Sequence, residues 1–266
     1  MTKSEAVNCL AAFCGVRDIE ELTPDALYNQ AGVAQADVMV LFGGSILCGG
    51  EVLARGIQSK IARKYMIVGG AGHTTPVLRS KLHTAFPEIE TENRSEAELF
   101  NAYLRIHYGL SADLLETEST NCGNNITYML KMLESQQIPC HSIILVQDAT
   151  MQRRMAAGLR LLQPDMTIIN FAAYQADVIE ENGQLQYKNE IWGMWEIDHY
   201  VELLLGEIQR LRDDRDGYGP KGRGYIAHED IPADVEEAFA VIGTAFPIRR
   251  ANPAFASKTL ERGNDA

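Results

Sequence analysis

Five short apolar runs, set apart by stretches of helical period, leave this chain few folds to choose from. "DVMVLFGG" (37–44) and "YMIVGGAG" (65–72) both end in glycines, and "SIILVQD" (142–148) ends in a polar pair. "MTIINFAAY" (166–174) is as apolar, and "DLLETE" (113–118) is a weaker fifth. Near-continuous Val, Ile, Leu and Met runs of this length suit strands buried on both faces, as in parallel sheets. Helical patterns fall between them at 51–63, 95–108, 124–136 and 150–162, with Ser95 placed to cap an acidic first turn. Strand and helix therefore alternate, which predicts right-handed βαβ units in a doubly wound, mainly parallel α/β sheet. Such a sheet takes ligands beyond the C-terminal ends of its strands, near the point where strand order reverses. That rule puts "FGGS", "GGAGH", "ETESTN" and "VQDAT" on one edge.

After about residue 185 the strand signal fades. Residues 192–214 read as one long amphipathic helix, 215–232 as a loop rich in Gly and charge, and 233–246 as another helix. The tail from 249 reads as loosely ordered. The expected division is an α/β domain over 1–185 and a mostly helical cap over 186–266.

A net charge of -12 excludes a broad nucleic-acid interface, which needs clustered Lys and Arg to displace counterions, and adhesion to an anionic membrane. The five cysteines, Cys9, Cys14, Cys48, Cys122 and Cys140, are odd in number and lack metal-ligand spacing, so they read as reduced thiols. The six His include no H-x-x-x-H or H-x-H pair, and no metal is expected. No stretch holds the roughly 18 apolar residues of a spanning helix. A cytoplasmic protein with a small-molecule ligand, and neither nucleic acid nor membrane as partner, is the expectation.

The glycine pairs come first among the motifs. "GGSILCGG" (43–50) follows the first apolar run but matches neither G-x-G-x-x-G nor a P-loop. Gly43, Gly44, Gly69 and Gly70 could still bring backbone N–H groups close to a ligand. Ser45 lacks a nucleophile-elbow pattern. His73, beside the second glycine turn, is a candidate ligand contact or acid/base group. In "VQDATMQRR", Gln147 and Asp148 sit at a strand end, and Arg153 and Arg154 in the next helix's first turns, where an anion is favoured. Adjacent helical residues point about 100° apart, so only one arginine is expected to face the site, and surface ion pairing is the alternative reading. "ETESTNCGNN" (116–125) reads both as a helix cap and as a polar pocket wall.

Taken in order, "DVMVLFGG", "MIVGGAG", "SEAE", E-x-x-S-x-N and "VQDATMQRR" resemble the SanA/ElyC/YdcF-like family. Detail in "LVQDATMQRRMAAGLRLL" points to its YdcF branch. The resemblance spans about residues 36–175 and implies a Rossmann-like sheet with its site at the strand ends. Its polar positions correspond to Asp37, Gly43, Gly44, Gly69, Gly70, Glu96, Glu116, Ser119, Asn121, Asn125 and Arg154. Cys122 stands where the family usually has Thr, Asn124 where it has Glu, and Met151 where it has His. These departures remove a candidate acid/base His and one carboxylate, and with them support for hydrolysis. What the branch implies is binding of S-adenosyl-L-methionine, and a methyltransferase-like enzyme is one form that could take. The alternatives are a phosphate-ester hydrolase or transferase, with Asp148, His73 and Arg154 as working parts, and a non-enzymatic ligand sensor.

Overall fold

The computed structural model describes residues 1–72 and 74–247. His73 and the tail from 249 lie outside the described residues. Five strands, β1 (Ala36–Phe42), β2 (Ala62–Val68), β3 (Leu114–Glu116), β4 (Ser142–Val146) and β5 (Thr167–Asn170), form one sheet in the order β3-β2-β1-β4-β5. Every neighbouring pair runs parallel, with Val38 opposite Lys64 on β2 and Ile143 on β4. The chain leaves β1 toward β2 and β3, then crosses back to β4 and β5. Strand order thus reverses between β1 and β4, and a ligand crevice opens there in such sheets.

Burial on both faces explains why the strands were legible as continuous apolar runs. On one face Met39, Leu41, Ile67, Ile144 and Val146 pack with residues of α1 (Lys3–Cys14), α3 (Cys48–Ser59) and α5 (Glu96–Tyr108). On the other, Val38, Val40, Phe42, Met66 and Leu145 meet α6 (Cys122–Ser135) and α7 (Gln152–Leu162). The sheet is doubly wound and Rossmann-like. Two further helices, α2 (Pro24–Ala31) and α4 (Thr75–Ala85), complete this half. Thr2 with Glu5, and Ser95 with Glu98, build reciprocal capping boxes at the starts of α1 and α5.

The chain around and beyond residue 185 differs from the expected mostly helical cap in two places. An antiparallel hairpin, β6 (Val178–Glu181) and β7 (Gln184–Tyr187), turns on Asn182 and Gly183, both at positive φ. An Asn-Gly pair favours that tight turn because both positions require the left-handed region. The expected helix over 192–214 runs only over α8 (Ile197–Leu211), because Gly193 sits at φ +77 in a turn, closed by Met194 N–H on Ile191 O, that makes 191–196 an irregular strap. Helix α9 (Ala233–Gly243) follows the irregular 212–232 segment. Helices α8 and α9 share one core with α1 and with the α3 side of the sheet. Among the described residues, no helix is long and apolar enough to cross a membrane.

Candidate functional site

The C-terminal ends of β1 to β5 gather Gly43, Gly44 and Ser45, then Gly69 and Gly70, the 116–121 loop, Gln147 with Asp148, and Ala173 with Tyr174. The glycines serve different ends. An ideal Cβ at Gly43 would stand 2.5 Å from Glu96 Oε2 and 2.8 Å from Glu96 Cβ. One at Gly69 would meet the same Glu96 Cβ at 3.0 Å, and one at Gly70 would collide with the Ser119 and Thr117 carbonyls. These three positions are bare so that the protein's own α5 start and 117–119 loop can pack there. Gly49 and Gly50 likewise make room for Leu41 and Tyr103. Gly44 is the exception, since its Cβ would find only Gln147 Oε1, at 3.9 Å.

Glu96 opens α5 and is buried, its Oε1 accepting from Thr75 Oγ1 at 2.8 Å and Thr74 Oγ1 at 3.4 Å. Burial pushes this carboxyl above its ordinary pKa, against the pull of the two threonines and Arg79. Its backbone N–H donates to Gly70 O, and that of Ala97 to Gly69 O, so the helix start closes the end of β2.

The 116–125 stretch resolves into turn and cap. Glu116 Oε1 accepts from the Glu118 and Ser119 N–H groups at 2.7 and 3.0 Å, and its Oε2 accepts from Ser119 Oγ at 2.5 Å. Ser119 Oγ also lies 3.3 Å from the Gly70 N–H, which ties the loop across β2. Asn121 is the N-cap of α6, accepting from Asn124 N–H at 3.0 Å and donating to Asn124 Oδ1 at 2.7 Å. Asn125 is buried in the first turn of that helix. Asp37 lies at the opposite end of β1, bonded to the His141 and Ser142 N–H groups, away from this edge.

The arginines are committed to structure. Arg154 forms a buried pair with Glu207 of α8, with Nη2 3.0 Å from Oε1, and so does not offer an open charge to an anion. Arg153 lies over the Phe13 ring and bonds Glu229 at 3.1 Å. Of the two arginines of which one was expected to face the site, Arg154 is held by a carboxylate 53 residues downstream, a partner that no local pattern could reveal.

The strand-order reversal between the ends of β1 and β4 carries two unusual side chains. Ser45 and Gln147 are 2% and 1% exposed, yet among the described residues Ser45 Oγ and Gln147 Nε2, like Tyr187 OH of the hairpin, have no hydrogen-bond partner. A buried unpaired donor costs about 1–3 kcal/mol, so two at one strand-order reversal stand out from the rest of the core. Gln147 Oε1 accepts from the Asp148 N–H at 2.6 Å, which fixes the amide with its Nε2 turned away. Asp148 Oδ1 accepts from Thr150 N–H, Thr150 Oγ1 and Tyr174 OH, while Oδ2 meets only Trp195 Nε1, at 3.5 Å. Gln152, wholly buried, braces the edge by bonding Leu145 O, Asn170 Oδ1 and the Gln147 N–H. Helix α3 starts just beyond Ser45, with Leu47 at an N-cap that no side chain satisfies.

The strap packs against this edge. Gly193 lies against Leu47, so close that a Cβ there would be 2.9 Å from Leu47 N. Lys81 of α4 donates to Gly193 O at 2.5 Å and Ser45 O at 3.3 Å, with its ammonium 4.7 Å from the Trp195 ring centroid. Trp192 anchors the other end against Phe86 and Tyr103. Lys81, Gly193, Trp195 and Gln152 went unmarked in the sequence. The pairing of both tryptophans in "WGMW" was the one available signal. No protein-family model matches the chain.

Proposed function

We propose that the protein binds S-adenosyl-L-methionine at the C-terminal edge of the sheet, in the crevice where β1 and β4 part. The observation that carries the reading is the pair of buried, unpartnered donors, Ser45 Oγ and Gln147 Nε2, beside the one glycine of this edge with space next to it, Gly44. The charge balance agrees. Asp148 and Glu96 are buried carboxylates suited to a ligand carrying a sulfonium and an ammonium, whereas Arg154 is neutralised by Glu207. The same balance disfavours the phosphate-ester reading, in which a doubly charged group would meet these carboxylates with Lys81 as its nearby cation. When bound, the cofactor supplies a methyl group activated for transfer to a nucleophile. The chain's own part is to hold it, exclude water beneath the strap and keep Asp148 oriented through Thr150 and Tyr174. A cytoplasmic location goes with this reading, since all five cysteines are free.

Thermal-shift measurements test it. A ligand at 100 times its Kd adds about 2.7 kcal/mol to stability, so S-adenosylmethionine and S-adenosylhomocysteine should raise the midpoint by several degrees. A midpoint that moves with a phosphate monoester and stays fixed with both adenosyl compounds would transfer the site to phosphate chemistry.

A further inference from the structure

The crevice has a polarity of its own. Two donors stand at the reversal: Ser45 Oγ after β1, just before the twelve-residue helix α3, and Gln147 Nε2 after β4. The start of a helix carries the positive end of its dipole, although the Gly49 and Gly50 N–H groups of α3 turn back to the Ile46 and Leu47 carbonyls. No side chain caps this end, and Lys81 brings an ammonium to the adjoining Ser45 carbonyl. On the β4 side stands an acceptor. Asp148 is 8% exposed, and three donors crowd its Oδ1 while its Oδ2 has a single long contact with Trp195. Donors for an anion thus stand at the reversal, and an underused carboxylate oxygen lies on the residue next to Gln147.

We propose that this crevice is an α-amino-acid subsite. Ser45 Oγ, Gln147 Nε2 and the start of α3 receive the ligand's carboxylate, and Asp148 Oδ2 receives its ammonium. The proposal rests on the reading that the strand-end crevice is the ligand site, and it states which part of the ligand that crevice recognises. A single-charged carboxylate fits better than a phosphate because Asp148 lies alongside.

Calorimetric titration with S-adenosylmethionine, its decarboxylated counterpart and methylthioadenosine tests this. Hydrogen bonds to a charged group are strong enough that losing the carboxylate should weaken binding about 10- to 100-fold. Ser45→Ala and Gln147→Leu should weaken S-adenosylmethionine to a similar degree and leave the decarboxylated compound unchanged. Because Ser45 Oγ has no partner to lose, Ser45→Ala should keep the wild-type melting midpoint; a marked fall would assign that hydroxyl a structural bond and overturn its role. Equal affinity for the carboxylated and decarboxylated compounds would overturn the amino-acid subsite while the cofactor reading stands. L-methionine and its decarboxylated amine, 3-(methylthio)propylamine, form a second arm by thermal shift. Stabilisation by L-methionine but not by the amine, with no adenosyl compound bound, would uphold the subsite and remove the cofactor reading. No response to any of the five compounds would remove both.

Discussion

A methyl group added at Gly43 or at Gly44 separates packing from ligand access at neighbouring positions. At Gly43 it would press on the buried Glu96 side chain, 2.5 Å from Oε2. Overpacking of this kind costs about 1–3 kcal/mol, and Gly43→Ala should lower the urea midpoint accordingly. At Gly44 the nearest atom is 3.9 Å away, so Gly44→Ala should leave the midpoint within about 0.5 kcal/mol of wild type. It should nevertheless weaken ligand binding by narrowing the crevice. Urea titration with binding measured on both variants checks the pair, and equal destabilisation of the two would show that the space beside Gly44 is illusory. At this scale the sequence was only half readable. "GGS" and "VQD" could be put on one edge by their places after apolar runs. Which glycine faces open space depends on Glu96, which lies 53 residues beyond Gly43 and enters from the start of another helix. Asn121 was legible in both senses, and it is the α6 cap, bonded to Asn124 at the lip of the β3 end.

Helices are joined here as much by charge as by apolar packing. Arg154 on α7 and Glu207 on α8 form a buried pair with side chains 11% and 5% exposed, and Arg210 adds a second donor to the same carboxylate at 3.2 Å. Breaking such a pair by removing one partner leaves an uncompensated charge and costs about 3–5 kcal/mol. Arg154→Met should therefore destabilise strongly, and Arg154→Met combined with Glu207→Leu should recover much of the loss. A double-mutant cycle in urea measures this. A single variant that melts like wild type would show that the pair contributes nothing and would reopen Arg154 as a ligand contact. The five strands of the sheet were readable because burial on both faces demands near-continuous apolar runs, even in three-residue β3. The β6–β7 hairpin was missed although Asn182-Gly183 announces its turn, because its partly exposed strands carry Glu and Gln in place of an apolar run. The start of α8 was misplaced because "WGMWEIDHY" keeps helical spacing through a glycine that the fold holds at positive φ.

Across the whole molecule, the 191–196 strap is where the C-terminal region meets the ligand edge, and its hold is local. Lys81 supplies two hydrogen bonds and a cation–π contact, Trp195 adds one long bond to Asp148, and Trp192 packs on Phe86 and Tyr103. Burial lowers the pKa of Lys81, with Asp148 pulling it back up, and the ammonium is held by two backbone carbonyls. Ile191, Trp192, Met194 and Trp195 pack against the core while only partly buried, and a segment at the margin of a core opens at a free energy below that of global unfolding. Ser45 and Gln147 are buried, and Lys81 joins the strap to the Ser45 carbonyl, so lifting of the strap is the expected route by which a ligand reaches them. Lys81→Met keeps the stem's packing and removes the charged bonds, each worth about 1.5–3 kcal/mol. Hydrogen exchange of the 192–196 amides should then accelerate about tenfold or more, while the amides of β1 and β4 keep their wild-type protection. Stopped-flow tryptophan fluorescence should show both association and dissociation of the ligand speeding up, because the same opening precedes entry and exit. Unchanged exchange in 192–196, or acceleration shared equally by β1 and β4, would mean that Lys81 supports the fold as a whole and does not latch the strap.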